Sequence, residues 1–333
     1  MGKPKRRRRR IILSVLLALA VLAACGTGWV LSRQDGYDRN IQRIADALPT
    51  ASSKRPLPDA GENWLLVGSD MRGDFTETTW RKGEARSDTI MLLHAPKGRD
   101  DSYVVSIPRD SWVEIPGHGR AKINASFERG GPRLLVETVE KLTDVRIDHF
   151  AAVDFQGFKT MTDALGGVDV HLAEDVYDPS NEWSWEAGKN HMDGDEALRF
   201  VRERKGLPGS DFDRVKRQQA FIKAMAEKAA STGVLTDPAR LDAFLEAASG
   251  AVAVDSGTTM GTMRSLAARM ARGGPEGIEF ISLPAAETGY EGSQNVVRLD
   301  TSAVKDFSAA LREDRLDEYI EEHELANDVD KVN

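Results

Sequence analysis

Arginines are concentrated in one short stretch of this otherwise acidic chain. The segment 200–219 contains Arg202, Arg204, Arg214 and Arg217. A guanidinium group is planar and permanently charged, and its fork of N–H donors matches two phosphate oxygens at once. The spacing therefore predicts a clamp for a phosphate-bearing substrate. Ion pairs with nearby acids such as Asp211 would explain any single arginine equally well.

Carboxylates at strand ends complement these arginines. Asp70 follows an apolar run that reads as a strand, and Asp88 opens the next such run beside Arg86. Ligands bind at strand ends in α/β sheets, and Mg²⁺ prefers one or two carboxylates together with water and phosphate oxygens. Asp70 and Asp88 are thus candidate metal ligands, with turn caps as the alternative. Adding Arg109 gives a predicted diphosphate clamp of Arg86, Arg109, Arg202, Arg204 and Arg214.

Eight segments, taken in order, resemble the LytR-CpsA-Psr family in its actinobacterial form. They are residues 63–70, 87–91, 106–110, 122–126, 130–132, 153–158, 163–169 and 200–219. The resemblance implies one α/β domain, in which a central mixed β-sheet is flanked by helices on both faces and preceded by one transmembrane helix. It also implies Mg²⁺, with Mn²⁺ as an alternative, on Asp70 and Asp88. In that family the diphosphate contacts match Arg109, Arg202, Arg204, Arg214 and Gln218.

The amino terminus predicts a membrane anchor. Residues 1–10 are strongly basic, and residues 11–31 carry no charged side chain. Such a run is long enough to cross a bilayer, and the positive-inside rule leaves the basic tip in the cytoplasm. A lipoprotein signal ending at Cys25 is the alternative. Either reading places the rest of the chain outside the cell membrane.

The remaining chain divides into a linker, a domain and a tail. Prolines and small polar residues predict a linker at 32–61. Alternating strand and helix patterns predict a catalytic domain at 62–312, and the acidic segment 313–333 predicts a flexible tail. Apolar side chains available for a lipid groove, each also explained as ordinary core, are Phe150, Phe155, Phe158, Leu165, Val168, Phe221 and Ile222.

Composition excludes several other functions. The formal net charge is −8, and since residues 1–10 carry seven basic side chains, the rest of the chain stands at −15. A chain this acidic disfavours nucleic-acid binding. With one cysteine there is no internal disulfide, and the histidines show no metal-binding spacing. The Walker phosphate loop and the Gly-x-Ser-x-Gly elbow are absent from the sequence.

By resemblance, the chain is expected to be a Mg²⁺-dependent phosphotransferase of the cell envelope. It would move a glycopolymer from a polyisoprenyl diphosphate to peptidoglycan, with Arg109, Arg202, Arg204 and Asp88 as the catalytic residues. No general base stands out, and Asp88 or Asp110 would serve. A pyrophosphatase that uses water, and a non-catalytic protein that binds lipid-linked glycans, are the alternatives.

Overall fold

The computed structural model describes residues 36–50, 55–70, 86–209, 211–231 and 238–333. The predicted cytoplasmic tip and apolar span, with Cys25, lie outside these ranges. None of the helices within the described ranges combines the length and the apolar character that a membrane crossing requires.

The described part of the chain contains runs of strands separated by helices. The strands are β1 (Gln42–Ile44), β2 (Gly61–Ser69), β3 (Ser87–Pro96), β4 (Ser102–Ser106), β5 (Trp112–Ile115), β6 (Gly119–Lys122), β7 (His149–Asp154), β8 (Val168–Leu172), β9 (Val176–Asp178), β10 (Trp183–Trp185), β11 (Gly188–Met192), β12 (Val252–Asp255), β13 (Ile278–Ser282), β14 (Ala285–Glu291) and β15 (Gln294–Leu299). The helices are α1 (Asn124–Thr143), α2 (Phe155–Ala164), α3 (Gly194–Arg202), α4 (Asp211–Ser231), α5 (Pro238–Ala251), α6 (Met260–Gly273), α7 (Thr301–Arg312) and α8 (Leu316–His323).

A seven-stranded mixed sheet forms the centre of the fold. Its strand order is β1-β12-β7-β2-β3-β4-β13. The pairs β1–β12, β2–β7 and β4–β13 run parallel, whereas β7–β12, β2–β3 and β3–β4 run antiparallel. The prediction of an α/β domain around a central mixed sheet is therefore confirmed.

Helices cover both faces of this sheet. Because successive strand residues point in opposite directions, each strand contributes side chains to a core on either face. On one face Leu65 of β2 packs in a core with Phe127 of α1. On the other face Trp64 packs in a core with Phe200 of α3 and Phe221 of α4. The functional residues described below belong to this second face.

The prediction of a linker at 32–61 is wrong, because this range contains β1. β1 pairs in parallel with β12 and closes one edge of the sheet, with Ile44 opposite Asp255. Ile44 and Ala47 are buried in the core. The prolines near residue 50 hid this short strand, whose burial depends on a partner some 200 residues further along the chain. The folded domain thus begins before residue 62.

The predicted flexible tail is also wrong. Residues 313–333 contain α8, and Ala326 and Val332 form bridges to β13 and β8. Leu316, Ile320 and Val329 are buried among core residues. The acidic composition suggested a solvated segment, but a few well-spaced apolar side chains attach it to the domain.

Arg217 helps to hold this carboxyl-terminal segment in place. It is fully buried, and its Nε donates to the backbone carbonyl of Asn333. Its guanidinium lies 4.4 Å from the ring centre of Phe200 and 5.2 Å from that of Trp185. Burial lowers the pKa of Arg217 to about 10, so the group remains charged at neutral pH. Although Arg217 belongs to the arginine segment, its role here is structural.

We expect Arg217→Ala to lower the free energy of unfolding by about 3 kcal/mol, because the change removes buried cation–π contacts and opens a cavity. The neighbouring Lys216 is exposed, so Lys216→Ala is expected to stay within about 0.5 kcal/mol of the parent protein. Chemical denaturation of both variants measures the difference. Equal stability of the two variants would contradict the structural role of Arg217.

Candidate functional site

Three aspartates lie where strands β2, β3 and β7 meet at one edge of the sheet. Asp70 directly follows β2, and its Oδ1 accepts the backbone N–H of Arg86 at 2.8 Å. Asp88 is the second residue of β3, beside a register shift between β2 and β3. Asp154 ends β7 opposite Ser69 and caps α2 by accepting the N–H of Gly157. Carboxylates are therefore concentrated at this edge, as the positions of Asp70 and Asp88 in the sequence predicted.

A cavity of about 410 Å³ opens at this edge, between the sheet and helices α2, α3 and α4. The first cavity, as we call it, brings together six of the eight predicted site residues. Its polar lining consists of Asp88, Thr89, Arg109, Asp154, Arg202, Arg204, Arg214 and Gln218. Asp154 was missed by the sequence analysis, although it ends a strand just as Asp70 does.

Two predicted site residues, Arg86 and Asp70, lie outside the lining of the first cavity. The side chain of Arg86 is 65% exposed, and its Nε lies 3.5 Å from Glu128. The structure therefore places Arg86, which precedes β3, on the surface rather than in the clamp. Asp70 lies next to Arg86, since its side chain accepts the backbone N–H of that residue.

Arg109 and Asp88 form an ion pair within the cavity lining. Their side chains are only 17% and 19% exposed, so water screens the pair weakly. The Nε of Arg109 is buried and has no hydrogen-bond partner among the described residues. This donor is thus left without a partner in a residue that lines the cavity.

Asp211 holds two further arginines of the lining. Its Oδ1 lies 2.7 Å from Nη2 of Arg214 and 3.4 Å from Nε of Arg204. Arg214 is buried, and burial lowers its pKa to about 10, with Arg109 and Arg204 adding to the shift and Asp211 opposing it. The group stays protonated at neutral pH, and its buried Nε has no partner within the described chain. Arg214 is thus a rigidly placed cation with a free donor.

Contacts between helices position Gln218 and Arg202. Gln218 lies one turn after Arg214 on α4, and both side chains reach the first cavity as their spacing predicts. The Nε2 of Gln218 donates to the carbonyl of Val201 at 3.2 Å, which ties α4 to the end of α3. The guanidinium of Arg202 lies 4.4 Å from the ring centre of Phe155.

The interior of the first cavity is apolar. Of the residues predicted for a lipid groove, Phe155, Phe158, Phe221 and Ile222 line it, whereas Phe150, Leu165 and Val168 are buried core residues. Lining residues that the sequence analysis missed include Leu66, Met91, Met161, Leu198 and Met225. The cavity therefore suits a ligand with an anionic head and an apolar tail.

Among the described residues, no group of three or more histidine, cysteine or acidic side chains is arranged to hold a metal ion. The two predicted metal ligands, Asp70 and Asp88, each already have a partner: the backbone N–H of Arg86 and the guanidinium of Arg109. Any metal at this edge would need further ligands from water or from a substrate.

Comparison with known families accounts for this combination of sheet, cavity and arginines. The model of the LytR_cpsA_psr family matches residues 34–313. The chain belongs to the LytR-CpsA-Psr family. The match includes β1, which agrees with its place in the central sheet.

Individual LytR-CpsA-Psr proteins show the same relationship. The chain is 39% identical over 282 residues to the Probable cell wall biosynthesis protein LcpB of the actinobacterium Corynebacterium glutamicum, covering 83% of this chain and 66% of that protein. It is 39% identical over 236 residues to the polyisoprenyl-teichoic acid–peptidoglycan teichoic acid transferase TagU of Bacillus cereus, covering 69% of this chain and 74% of TagU. The chain thus spans just under two thirds of LcpB.

A solved LytR-CpsA-Psr structure has the same fold. The crystal structure of TagV from B. subtilis superposes with a TM-score of 0.64 at 25% identity, covering 78% of this chain and 99% of that one. The sheet and the flanking helices are therefore those of the family.

Proposed function

We propose that this protein is a membrane-anchored phosphotransferase that moves a glycopolymer from a polyisoprenyl diphosphate carrier to a hydroxyl group of peptidoglycan. The observation that carries the proposal is the first cavity, whose arginines surround one end and whose apolar side chains line the interior. A lipid diphosphate has the same division between charge and hydrocarbon. The names of LcpB and TagU, a cell wall biosynthesis protein and a teichoic acid transferase, support the same activity.

In the proposed reaction the acceptor hydroxyl oxygen attacks the phosphorus that carries the sugar. A new phosphodiester forms, the bond to the bridging oxygen breaks, and polyisoprenyl monophosphate leaves with the electron pair. The hydroxyl proton passes to a carboxylate of the cavity lining, for which Asp154 is the candidate that is not paired with a basic side chain among the described residues. The two predicted bases are both ion-paired: Asp88 with Arg109, and Asp110 with Lys122 at 2.9 Å.

The arginines provide most of the proposed catalysis. Negative charge grows on the leaving phosphate as the bridging bond breaks, and preorganised cations in a partly buried site stabilise that charge without reorganisation. Arg109 and Arg214 each have a buried, unused Nε donor. Asp88 and Asp211 hold these two guanidinium groups in place before the substrate arrives.

We further propose that Mg²⁺, or Mn²⁺ in its place, binds to Asp70 and Asp88. Two carboxylates suffice for such a site, because Mg²⁺ commonly takes its remaining ligands from water and substrate phosphate oxygens. The bound ion would neutralise charge on the phosphate oxygens. We also propose that the domain works at the outer face of the cell membrane, held there by the apolar segment 11–31 with the basic residues 1–10 in the cytoplasm.

The test uses the full chain in detergent, because β1 belongs to the sheet and a fragment beginning near residue 60 would lose it. With Mg²⁺, a polyisoprenyl diphosphate sugar and peptidoglycan, we expect polyisoprenyl monophosphate and peptidoglycan-linked sugar phosphate in equal amounts. With EDTA the rate is expected to fall by at least about a hundredfold. Mass spectrometry measures both products.

Other outcomes of this experiment would contradict the proposal in distinguishable ways. Release of the lipid monophosphate without transfer to peptidoglycan would identify a pyrophosphatase. Tight binding of the lipid without turnover would identify a binding protein. Full activity in EDTA would exclude the metal on Asp70 and Asp88 while leaving the arginine site intact.

A further inference from the structure

A buried polar network joins helix α4 to strands β4 and β13. At its centre is Gln219, which is fully buried and directly follows the cavity residue Gln218. The Nε2 of Gln219 donates to the Oγ of Ser106 and to the backbone carbonyl of Ile281, both at 2.9 Å. One side chain therefore uses both of its N–H donors to tie the arginine-bearing helix to the sheet.

Asn327 completes this network. Its Nδ2 donates to the Oε1 of Gln219 at 2.9 Å and to the Oγ of Ser282 at 3.0 Å, while its backbone N–H donates to the carbonyl of Phe280 at 2.7 Å. A buried amide oxygen that loses its donor is costly. Rotating the Gln219 amide would not help, because its oxygen would then face the carbonyl oxygen of Ile281. The position of Gln219 therefore depends on Asn327.

The network links two sides of the proposed diphosphate clamp. Ser106 is the last residue of β4, and Arg109, which lines the first cavity, follows three residues later. Arg214 lines the same cavity from α4, five residues before Gln219. The hydrogen bond between Gln219 and Ser106 therefore connects the helix that carries Arg214 with the strand that leads to Arg109.

Asn327 lies outside residues 34–313, the part of the chain that the family model matches. The segment 326–333 also contacts α4 elsewhere, since Asp330 pairs with Lys223. The side chain of Asp330 is 70% exposed, and a pair so open to water holds the two elements together only weakly. The buried contact of Asn327 with Gln219 is thus the stronger candidate for an effect on the position of α4.

We infer that Asn327 is a positioning residue for the proposed transfer: through Gln219 it holds α4 against β4, so that Arg109 and Arg214 face the same diphosphate. This inference rests on the proposed function and adds a residue outside the lining of the first cavity. Preorganised charges stabilise a transition state only where they are correctly placed, and a displacement of about 1 Å can cost about a hundredfold in rate. Loss of Asn327 is therefore expected to lower kcat more than it weakens substrate binding.

The test is a double-mutant cycle on the full chain in detergent, with a polyisoprenyl diphosphate sugar and peptidoglycan as substrates. We expect Asn327→Ala to lower kcat about tenfold, the factor that one unsatisfied buried acceptor supports, and to change KM less than about twofold. Gln219→Met keeps the length of the side chain without its amide, and a similar loss is expected. In the Gln219→Met background, Asn327→Ala should lower kcat by less than about twofold, because its connection to the clamp is already broken.

Two results of the cycle would overturn the inference. A folded Asn327→Ala variant that retained the parent kcat would show that the network does not position the clamp. A full tenfold loss in the Gln219→Met background would show that Asn327 does not act through Gln219. Asn327→Asp keeps the size of the side chain but lacks its N–H donors, so the same loss is expected from it, and it replaces Asn327→Ala if that variant does not fold.

Asp330→Ala is the matched control within the same segment. It removes a contact with α4 without touching Gln219, so kcat should stay within about twofold of the parent value. A loss equal to that of Asn327→Ala would assign the effect to attachment of the whole segment and would also overturn the inference.

Hydrogen exchange measured by mass spectrometry covers the case in which the parent protein shows no turnover and the proposed function itself fails. Asn327→Ala is then still expected to speed exchange at least about threefold in peptides that span residues 103–109 and 211–219, whereas Asp330→Ala is not. Unchanged exchange in both peptides would refute the link between β4 and α4.

Discussion

Replacing Arg214 by lysine is expected to lower the rate of transfer by at least about a hundredfold while the protein stays folded. Lysine retains a positive charge but loses the planar fork that can bind two oxygens at once. Removing one preorganised donor of transition-state charge typically costs a factor of about 10²–10³ in kcat. The loss should be large here because Arg214 is buried beside Asp211, where water replaces its contacts poorly.

The measurement is the release of polyisoprenyl monophosphate from a polyisoprenyl diphosphate sugar at saturating substrate concentration. Arg133→Lys is the matched control, since Arg133 is partly exposed on α1, outside the first cavity, and its partner is Glu137 of the same helix. That variant should retain full activity. A loss of less than about threefold in Arg214→Lys, with thermal stability unchanged, would remove Arg214 from the proposed catalytic site.

The second large effect is expected from Ala151→Phe, which would fill part of the apolar interior of the first cavity. Ala151 lies on β7 in the core of the second face and also lines the first cavity, so we expect the added phenyl ring to occupy part of the cavity volume of about 410 Å³. The ring would exclude several methylene groups of a long lipid. Since each buried methylene contributes about 0.8 kcal/mol, losing three or four costs about a hundredfold in kcat/KM.

The same variant should cleave a geranyl-linked donor normally, because a short chain leaves the deep part of the cavity empty. Ala187→Phe adds the same side chain at an exposed position and should affect neither donor. Comparing kcat/KM for long and short donors gives the result. If Ala151→Phe lowered both values equally, the cavity would not be the lipid site, and disturbance of the neighbouring arginines would explain the loss.

The sequence determined most of the secondary structure and most of the polar site. Apolar periodicity and turn residues are local signals, so strands such as β2 and helices such as α4 follow from them within a few residues. The arginine segment and the aspartates at strand ends are also local in sequence. An α/β sheet gathers strand ends at one edge, and that rule brought Asp88 towards Arg109 and Arg214.

Tertiary structure alone decided which arginines line the first cavity, which are buried in the core and which are exposed. Arg214 and Arg217 are three residues apart on one helix, yet the first reaches the cavity and the second is buried against Phe200 and Asn333. Arg86 has the right residue type beside Asp88 but is turned towards solvent. Side-chain direction depends on the neighbouring elements, and sequence spacing does not encode those neighbours.

The same reason explains the edge strand β1 and the ordered carboxyl-terminal segment. Each depends on contacts between residues that are far apart in sequence, such as Ile44 with Asp255 or Val332 with Leu172. Composition described both chain segments as polar, and only long-range packing revealed their buried side chains. What the sequence determined was therefore local chemistry and periodicity, whereas the shape of the first cavity was decided by the packing of elements that are distant in sequence.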